Sequence, residues 1–198
     1  PDFLAGSPLS RKIKAYDYFH YAVNEALILS EDEERSIDDI FKNIQQEYNR
    51  PIDSFSQDLL ISQVDMLLTF CNRFYHRQFI TRKIPNSGLL SAFEKELDAY
   101  FEDTEKLSNG LPSVTYFADK LNLSGKYLSD LLKNLTGQST QQHIHQKLIL
   151  KAKEKLSNTN LTVSEIAYEL GFEHAQSFSK LFKSKTQVSP LTFRDQFN

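Results

Sequence analysis

The stretch SEIAYELGF (residues 164–172) has a looser copy upstream, TYFADKLNL (115–123), displaced by 49 positions. A repeat of this kind limits the fold more than any composition figure, because both copies must solve one local packing problem. Residues 114–123 align with 163–172 at an offset of 49, and LSDLLKNLTGQST (128–140) aligns with FSKLFKSKTQVSP (178–190) at an offset of 50. One residue is therefore inserted at the start of the second helix of the later copy. Each copy reads as a short helix, a tight turn and a second helix with apolar residues at matched places.

Each element of the repeat has a physical reason. Ala118 and Ala167 are small where two crossing helices must approach closely. Gly171 ends the first helix of the later copy and Asn122 takes its place in the earlier one. These are the two residue types that most readily enter the left-handed conformation of such a turn. Thr162 and Glu165 form a capping box. Leu128, Leu131, Leu132 and Leu135 make a buried face, as do Phe178, Leu181 and Phe182. This is the helix-turn-helix pattern, whose second helix can enter the DNA major groove. A TPR or HEAT array is the structural alternative, and it needs more than the two copies present.

Between the copies, STQQHIHQKLILKAKEKLSNT reads as one continuous linker helix. Ser139 with Gln142 caps it, Ile144, Leu148, Ala152 and Leu156 line one face, and Lys147, Lys151, Lys153 and Lys155 make its other sides basic. His143 and His145 lie two apart, hence on different faces, so no shared metal is expected there. Charge is divided along the chain. Residues 111–198 carry a net +4 and residues 1–110 a net −7, within an overall −3. A basic half beside an acidic half points the former toward a polyanion.

Upstream of the repeat the pattern is less regular. In YDYFHYAVNEAL, Tyr16, Tyr18 and His20 alternate with Asp17 and Phe19 in the manner of a strand. From Ser36 the spacing of Ile37, Ile40, Phe41, Ile44 and Tyr48 is helical. Pro51 disfavours helical geometry at Arg50 and breaks this helix. A longer one follows, with Phe55, Leu59, Leu60, Leu67, Leu68, Cys71, Phe74, Tyr75 and Phe79 on a broad stripe, so the pair reads as an antiparallel hairpin. PNSG (85–88) reads as a loop, and Leu89, Leu90, Phe93, Leu97, Tyr100 and Phe101 as a third amphipathic helix. LSNGLPS (107–113) reads as the linker at a domain boundary. Two short helices cannot easily bury such wide stripes against each other, which points to a dimer interface. Packing onto an absent N-terminal domain is the alternative.

Composition excludes several classes. No run is long and apolar enough to span a membrane and no signal peptide opens the chain, so no membrane partner is expected. The single cysteine, Cys71, rules out an internal disulfide framework and fits a reducing, cytoplasmic setting. The chain starts at Pro1 and its one methionine is Met66, which suggests a piece of a longer protein. No Cys/His ligand spacing, phosphate-binding glycine loop or serine nucleophile elbow is present, so neither a catalytic site, a metal nor a cofactor is expected.

The segment LTVSEIAYELGFEHAQSFSKLFKSKTQVSPLTFR resembles the signature region of AraC/XylS-type transcription regulators, and the likeness extends from Pro112 to Phe197. Gln187 departs from the glycine usual after Thr186, and Lys147 stands where the linker helix usually begins an arginine-containing stretch. The resemblance implies a DNA reader that places two recognition helices in successive major-groove segments on one DNA face. It further implies a separate N-terminal part, often a cupin-type β-barrel, that senses a small-molecule effector or mediates dimerisation. The expected fold is mainly α: a tandem helix-turn-helix domain joined by a linker helix, preceded by a helical dimerising segment and a remnant of a β-barrel sensor. Its parts would be a sensor tail at 1–30, a helical hairpin and linker region at 31–110, and a DNA-binding domain at 111–198 with units at about 113–136 and 162–186.

Helical geometry then assigns roles. Positions opposite the leucine face of the first recognition helix, or at its start, are Gly125, Lys126 and Asp130; on the second they are His174, Gln176, Ser177 and Lys180. These seven are the expected base readers, glutamine matching adenine and lysine reaching guanine acceptors. Ser124, Lys133, Lys147, Lys151, Lys153, Lys183 and Lys185 are the expected phosphate contacts. The expected partners are double-stranded DNA, a second copy through residues 31–103, RNA polymerase, and an effector whose domain lies outside this chain; the expected location is the cytoplasm, on the nucleoid. The competing readings are a DNA-targeting module of a repair enzyme, with Cys71 reactive, and a protein-interaction module built on the hairpin.

Overall fold

The structure, a computed structural model, describes residues 2–81 and 83–196. The chain divides into two compact units, Pro1–Lys83 and Ile84–Asn198. Among the described residues there is no strand, and no helix is long and apolar enough to cross a membrane.

The first unit is a helical hairpin wrapped by its own N-terminal segment. That segment consists of helix α1 (Pro8–Lys12) and short 3-10 turns at Asp2–Leu4, Ile13–Ala15, Asp17–His20 and Val23–Glu25. The strand expected at residues 16–20 is thus a 3-10 turn. Tyr18 stacks on Tyr75 with ring centroids 5.4 Å apart, and Tyr21 meets the same ring edge-on at 5.1 Å. The relevant aromatic spacing is three, which suits a 3-10 turn, rather than the two of a strand.

Helix α2 (Glu31–Tyr48) begins five residues before the periodicity at Ser36 suggests. Ser30 and Glu33 form a capping box, and four acidic residues in the first turn favour the positive end of the helix dipole. Pro51 ends it as expected, and the Asp53 carboxylate accepts the N–H groups of Phe55 and Ser56 at 2.8 and 3.0 Å to start α3 (Ser56–Thr81). At the far end Arg77 Nε donates to Glu33 Oε1 at 2.8 Å, tying the start of α2 to the end of α3 in an antiparallel pair. Gln78 is buried and uses both ends of its amide: Ile28 N–H donates to Oε1 at 2.8 Å, and Nε2 donates to the Ala26 carbonyl at 3.3 Å. The Tyr75 and Phe79 end of the α3 stripe is therefore covered in cis by Tyr18 and Tyr21.

The second unit contains α4 (Lys83–Glu102), α5 (Thr104–Ser108), α6 (Val114–Lys120), α7 (Gly125–Thr136), α8 (Thr140–Asn158), α9 (Val163–Glu169), α10 (Ala175–Thr186) and α11 (Pro190–Arg194). The loop expected at residues 85–88 lies inside α4. Phe93, Leu97, Tyr100 and Phe101 of α4 and Leu107 of α5 share one core with Phe117, Leu128, Leu132, Leu148, Phe178 and Phe182. The linker-like stretch 107–113 lies inside this unit. Each fully buried Phe or Leu of that core contributes roughly 1.5–3 kcal/mol.

Candidate nucleic-acid interface

The two repeated turns are built alike. Leu123 N–H donates to the Ala118 carbonyl and Phe172 N–H to the Ala167 carbonyl, both at 2.9 Å; one residue earlier, Asn122 bonds Asp119 at 3.2 Å and Gly171 bonds Tyr168 at 3.0 Å. These paired bonds close each first helix with one residue in the left-handed region, Asn122 at φ 55° and Gly171 at φ 87°. Ala118 and Ala167 are buried against the core. The ends of the second helices match as well: Gly137 and Gln187 are both left-handed, at φ 78° and 66°. Thr136 and Thr186 each bond the carbonyl four residues back at 2.8 Å. Gln187 therefore adopts the helix-ending conformation that its glycine counterpart adopts.

The starts of the recognition helices differ. The Ser124 hydroxyl caps α7 by accepting Tyr127 N–H at 3.2 Å. His174 occupies the corresponding place on α10 without a side-chain cap, after the one extra residue of the later turn. The linker helix α8 opens on the Ser139–Gln142 capping box and α9 on the Thr162–Glu165 box.

The expected base readers fall into two groups. On α7, Gly125 packs beside Val114, the Lys126 ammonium lies 3.9 Å from the Asp130 carboxylate, and Tyr127 is buried. On α10, His174, Gln176, Ser177 and Lys180 are exposed, and Gln176, Lys180 and Lys183 share a face at i, i+4 and i+7. Lys133 and Lys183 are exposed near the ends of the two helices.

The linker-helix lysines are mostly engaged within the protein. Lys147 Nζ lies 2.5 Å from Asp98 of α4, Lys151 lies 3.6 Å from Glu154, and Lys155 lies 2.6 Å from Glu169. Lys153 sits over the Phe193 ring, 5.6 Å from its centre, and Lys185 ends α10. His143 shares a 2.8 Å hydrogen bond with Thr136 and meets Phe93 edge-on. Burial holds its imidazole below the ordinary value, as it does that of His145. Burial also pushes the Cys71 thiol up, away from the low values that mark reactive cysteines.

Two structural residues here escape sequence reasoning. Arg194 donates to the carbonyls of Leu156 and Leu161, at 3.3 and 2.6 Å, and so ties α11 to the end of α8. Its only signal is the arginine closing SPLTFR. The Tyr100 hydroxyl donates to Lys106 and Gly110 carbonyls at 3.3 and 3.1 Å, and nothing local announces that.

Comparison with known proteins agrees with this geometry. Residues 117–196 match the family model described as a helix-turn-helix domain. The chain is 28% identical over 166 residues to an uncharacterised HTH-type transcriptional regulator, YfiF, of Bacillus subtilis, covering 80% of this chain and 49% of that protein. It is 27% identical over 152 residues to the Msm operon regulatory protein of Streptococcus mutans, covering 75% and 51%. The chain thus spans about half the length of these curated relatives. The YfiF alignment is longer than the whole second unit, so the likeness reaches into the helical hairpin. A solved structure, the C-terminal domain of the two-component response regulator yesN of Fusobacterium nucleatum, is 32% identical over 51% of this chain and 96% of its own, with a TM-score of 0.45. With its duplicated helix-turn-helix motif and the signature segment that closes the second unit, the chain carries, over residues 117–196, a helix-turn-helix domain similar to those of AraC/XylS-type transcription regulators.

Proposed function

We propose that this protein regulates transcription by binding double-stranded DNA at specific sequences, with α7 and α10 entering successive major-groove segments. The observation that carries the reading is the pair of matched turns, which fix two recognition helices to one core through a single 19-residue linker helix. The exposed start of α10 is suited to base edges: Gln176 can pair with adenine through two hydrogen bonds and Lys180 can reach guanine acceptors. Lys133 and Lys183, exposed on the two recognition helices and paired with no described carboxylate, are suited to hold phosphates.

Selecting bound sequences from a random duplex pool tests the reading. A preferred site should emerge, and affinity should fall steeply with salt. Gln176→Ala should change the preferred base, whereas Lys183→Ala should weaken all sequences alike and reduce the salt slope by about one. Equal losses on every sequence for both variants would refute this division of roles, and no preference over random DNA would refute the function.

Companion proposals concern assembly, location and sensing. The first unit mediates homodimerisation: Tyr48 and Ile52 at the hairpin bend are 78% and 93% exposed, beside Phe55 and Leu59. The α4 stripe within the expected 31–103 interface is consumed by the second unit's core, so the interface contracts to the hairpin. A chromosomal DNA target would place the protein in the cytoplasm, on the nucleoid, with RNA polymerase as a downstream partner. Effector sensing by a separate N-terminal domain rests on family likeness.

A further inference from the structure

Helix α8 presents different chemistry on different sides. Ile144, Leu148, Ala152 and Leu156 are sunk in the core, while His145, Ile149 and Lys153, at i, i+4 and i+8, line a cleft of about 350 Å3. Gln138, in the turn after α7, and Lys185, in the last turn of α10, line it from the other sides. Both helix-turn-helix units therefore reach the same cleft.

Its charge has one sign. Lys153 and Lys185 contribute ammonium groups, and among the described residues neither is in an ion pair and no Asp or Glu lines the cleft. That is notable in a chain where 26 acidic residues outnumber 23 basic ones. Packing over Phe193 holds Lys153 in place. Gln138 and Gln146 bring carboxamides, which donate and accept at once. Gln142 adds amide hydrogens, its oxygen being engaged by Ser139 N–H at 2.8 Å. Burial, then the facing Lys185 charge, holds His145 below its ordinary value, so the ring is neutral near pH 7 and offers one donor and one acceptor.

We propose that this cleft binds a small oxyanion carrying hydroxyl groups, of the class of polyol phosphate monoesters, with Lys153 and Lys185 on the anionic oxygens and the carboxamides on the hydroxyls. The volume falls in the range of small-molecule sites, roughly 300–1,000 Å3, and charge-assisted bonds to the phosphate would supply most of the affinity. A ligand spanning Gln138 and Lys185 links the turn of one unit to the recognition helix of the other. Occupancy then changes DNA affinity to the extent that the free and the DNA-bound chain bind the ligand differently. That coupling rests on the DNA-binding reading, whereas binding itself does not. A DNA backbone phosphate shares the oxyanion chemistry and is the alternative source.

The test is calorimetric titration of the full chain, without DNA, using glucose 6-phosphate, inorganic phosphate and glucose as probes. Saturable single-site binding is expected for glucose 6-phosphate, weaker binding for inorganic phosphate and none for glucose. Lys153→Gln and Lys185→Gln should each weaken binding about tenfold. Lys151→Gln, whose lysine pairs with Glu154, should leave it unchanged. The His145 ring resonances should shift on saturation, a readout that a merely structural effect of the substitutions does not supply. Absence of saturable binding by all the probes, or equal binding by the variants, overturns the proposal. So does weaker DNA binding by Lys153→Gln and Lys185→Gln when the unsubstituted chain ignores glucose 6-phosphate, because the cleft is then a backbone contact. Glucose 6-phosphate binding by a chain that binds no DNA sustains the site and removes the DNA-binding reading instead.

Discussion

Asn122 and Gly171 share a left-handed backbone and the same hydrogen bonds, yet they are not interchangeable positions. A Cβ on Gly171 would sit 2.8 Å from the Gly110 carbonyl carbon and oxygen and 2.9 Å from the Leu107 carbonyl oxygen. These are backbone atoms that cannot swing aside. Asn122 already carries a Cβ. Gly171→Ala therefore combines a conformational cost of about 1–2 kcal/mol with a backbone clash, and should destabilise the second unit by at least about 2 kcal/mol. Asn122→Ala should cost about 1 kcal/mol. Urea unfolding of both variants checks this; equal losses would show that the approach of residues 107–110 is unimportant. Asparagine and glycine in the repeat mark both turns, but only the fold reveals which turn is crowded.

Among the elements, α8 departs most from what its sequence suggests. Four lysines on exposed sides read as a phosphate-binding surface, but three of them face carboxylates at 147, 151 and 155. The Lys147 partner, Asp98, comes from α4, almost fifty residues away in the chain, and no local pattern announces it. Its side chain is 22% exposed and Asp98 is 56% exposed, so the pair contributes little, within about 1 kcal/mol. Lys147→Ala should accordingly change stability by no more than about 1 kcal/mol and leave DNA affinity nearly unchanged, in contrast to Lys183→Ala on α10. Thermal melts with fluorescence-anisotropy titrations measure both, and a large loss of DNA affinity at Lys147 would mean that the ion pair opens on binding. Helix α10 carries the opposite lesson, since its exposed polar face is legible from spacing alone.

For the whole molecule, acid is a stress on both units, since backbone N–H groups hold Asp103 and Glu165 of the second below their ordinary values. In the first, burial pushes Glu33 up, but the Ser30 N–H and the Arg77 guanidinium outweigh it and hold the carboxylate below its ordinary 4.5. Asp53, bonded by Phe55 and Ser56 N–H groups, is held down too. A carboxylate depressed on folding contributes stability that is complete above its unfolded value and fades as pH falls through its folded one. The first unit should therefore weaken below pH 4.5, and Glu33→Gln should flatten that dependence; urea midpoints taken across acid pH measure it. In the same unit the exposed apolar bend predicts self-association. Sedimentation of the full chain should show a dimer, and Ile52→Glu should shift it toward monomer while its circular dichroism stays unchanged. A chain already monomeric at micromolar concentration would remove the dimer proposal.

What near neighbours in the chain decide is readable in the amino-acid sequence by itself: the helical stripes, the Pro51 break, the capping boxes at Ser139 and Thr162, and the duplicated turns. Each depends on residues within about one helical turn of one another. Even there the Ser30–Glu33 box and the helical placement of Pro85 escape notice, because both lie ahead of the first periodic apolar residues, Ile37 and Leu89, from which the helices are read. Other features are decided by tertiary packing: the covering of one end of the α3 stripe by Tyr18 and Tyr21, the burial of the α4 stripe under the helix-turn-helix core, the Lys147–Asp98 pair and the basic cleft of α8. Each joins groups far apart in sequence. A periodic apolar stripe states that a face must be covered, and only packing in three dimensions selects what covers it.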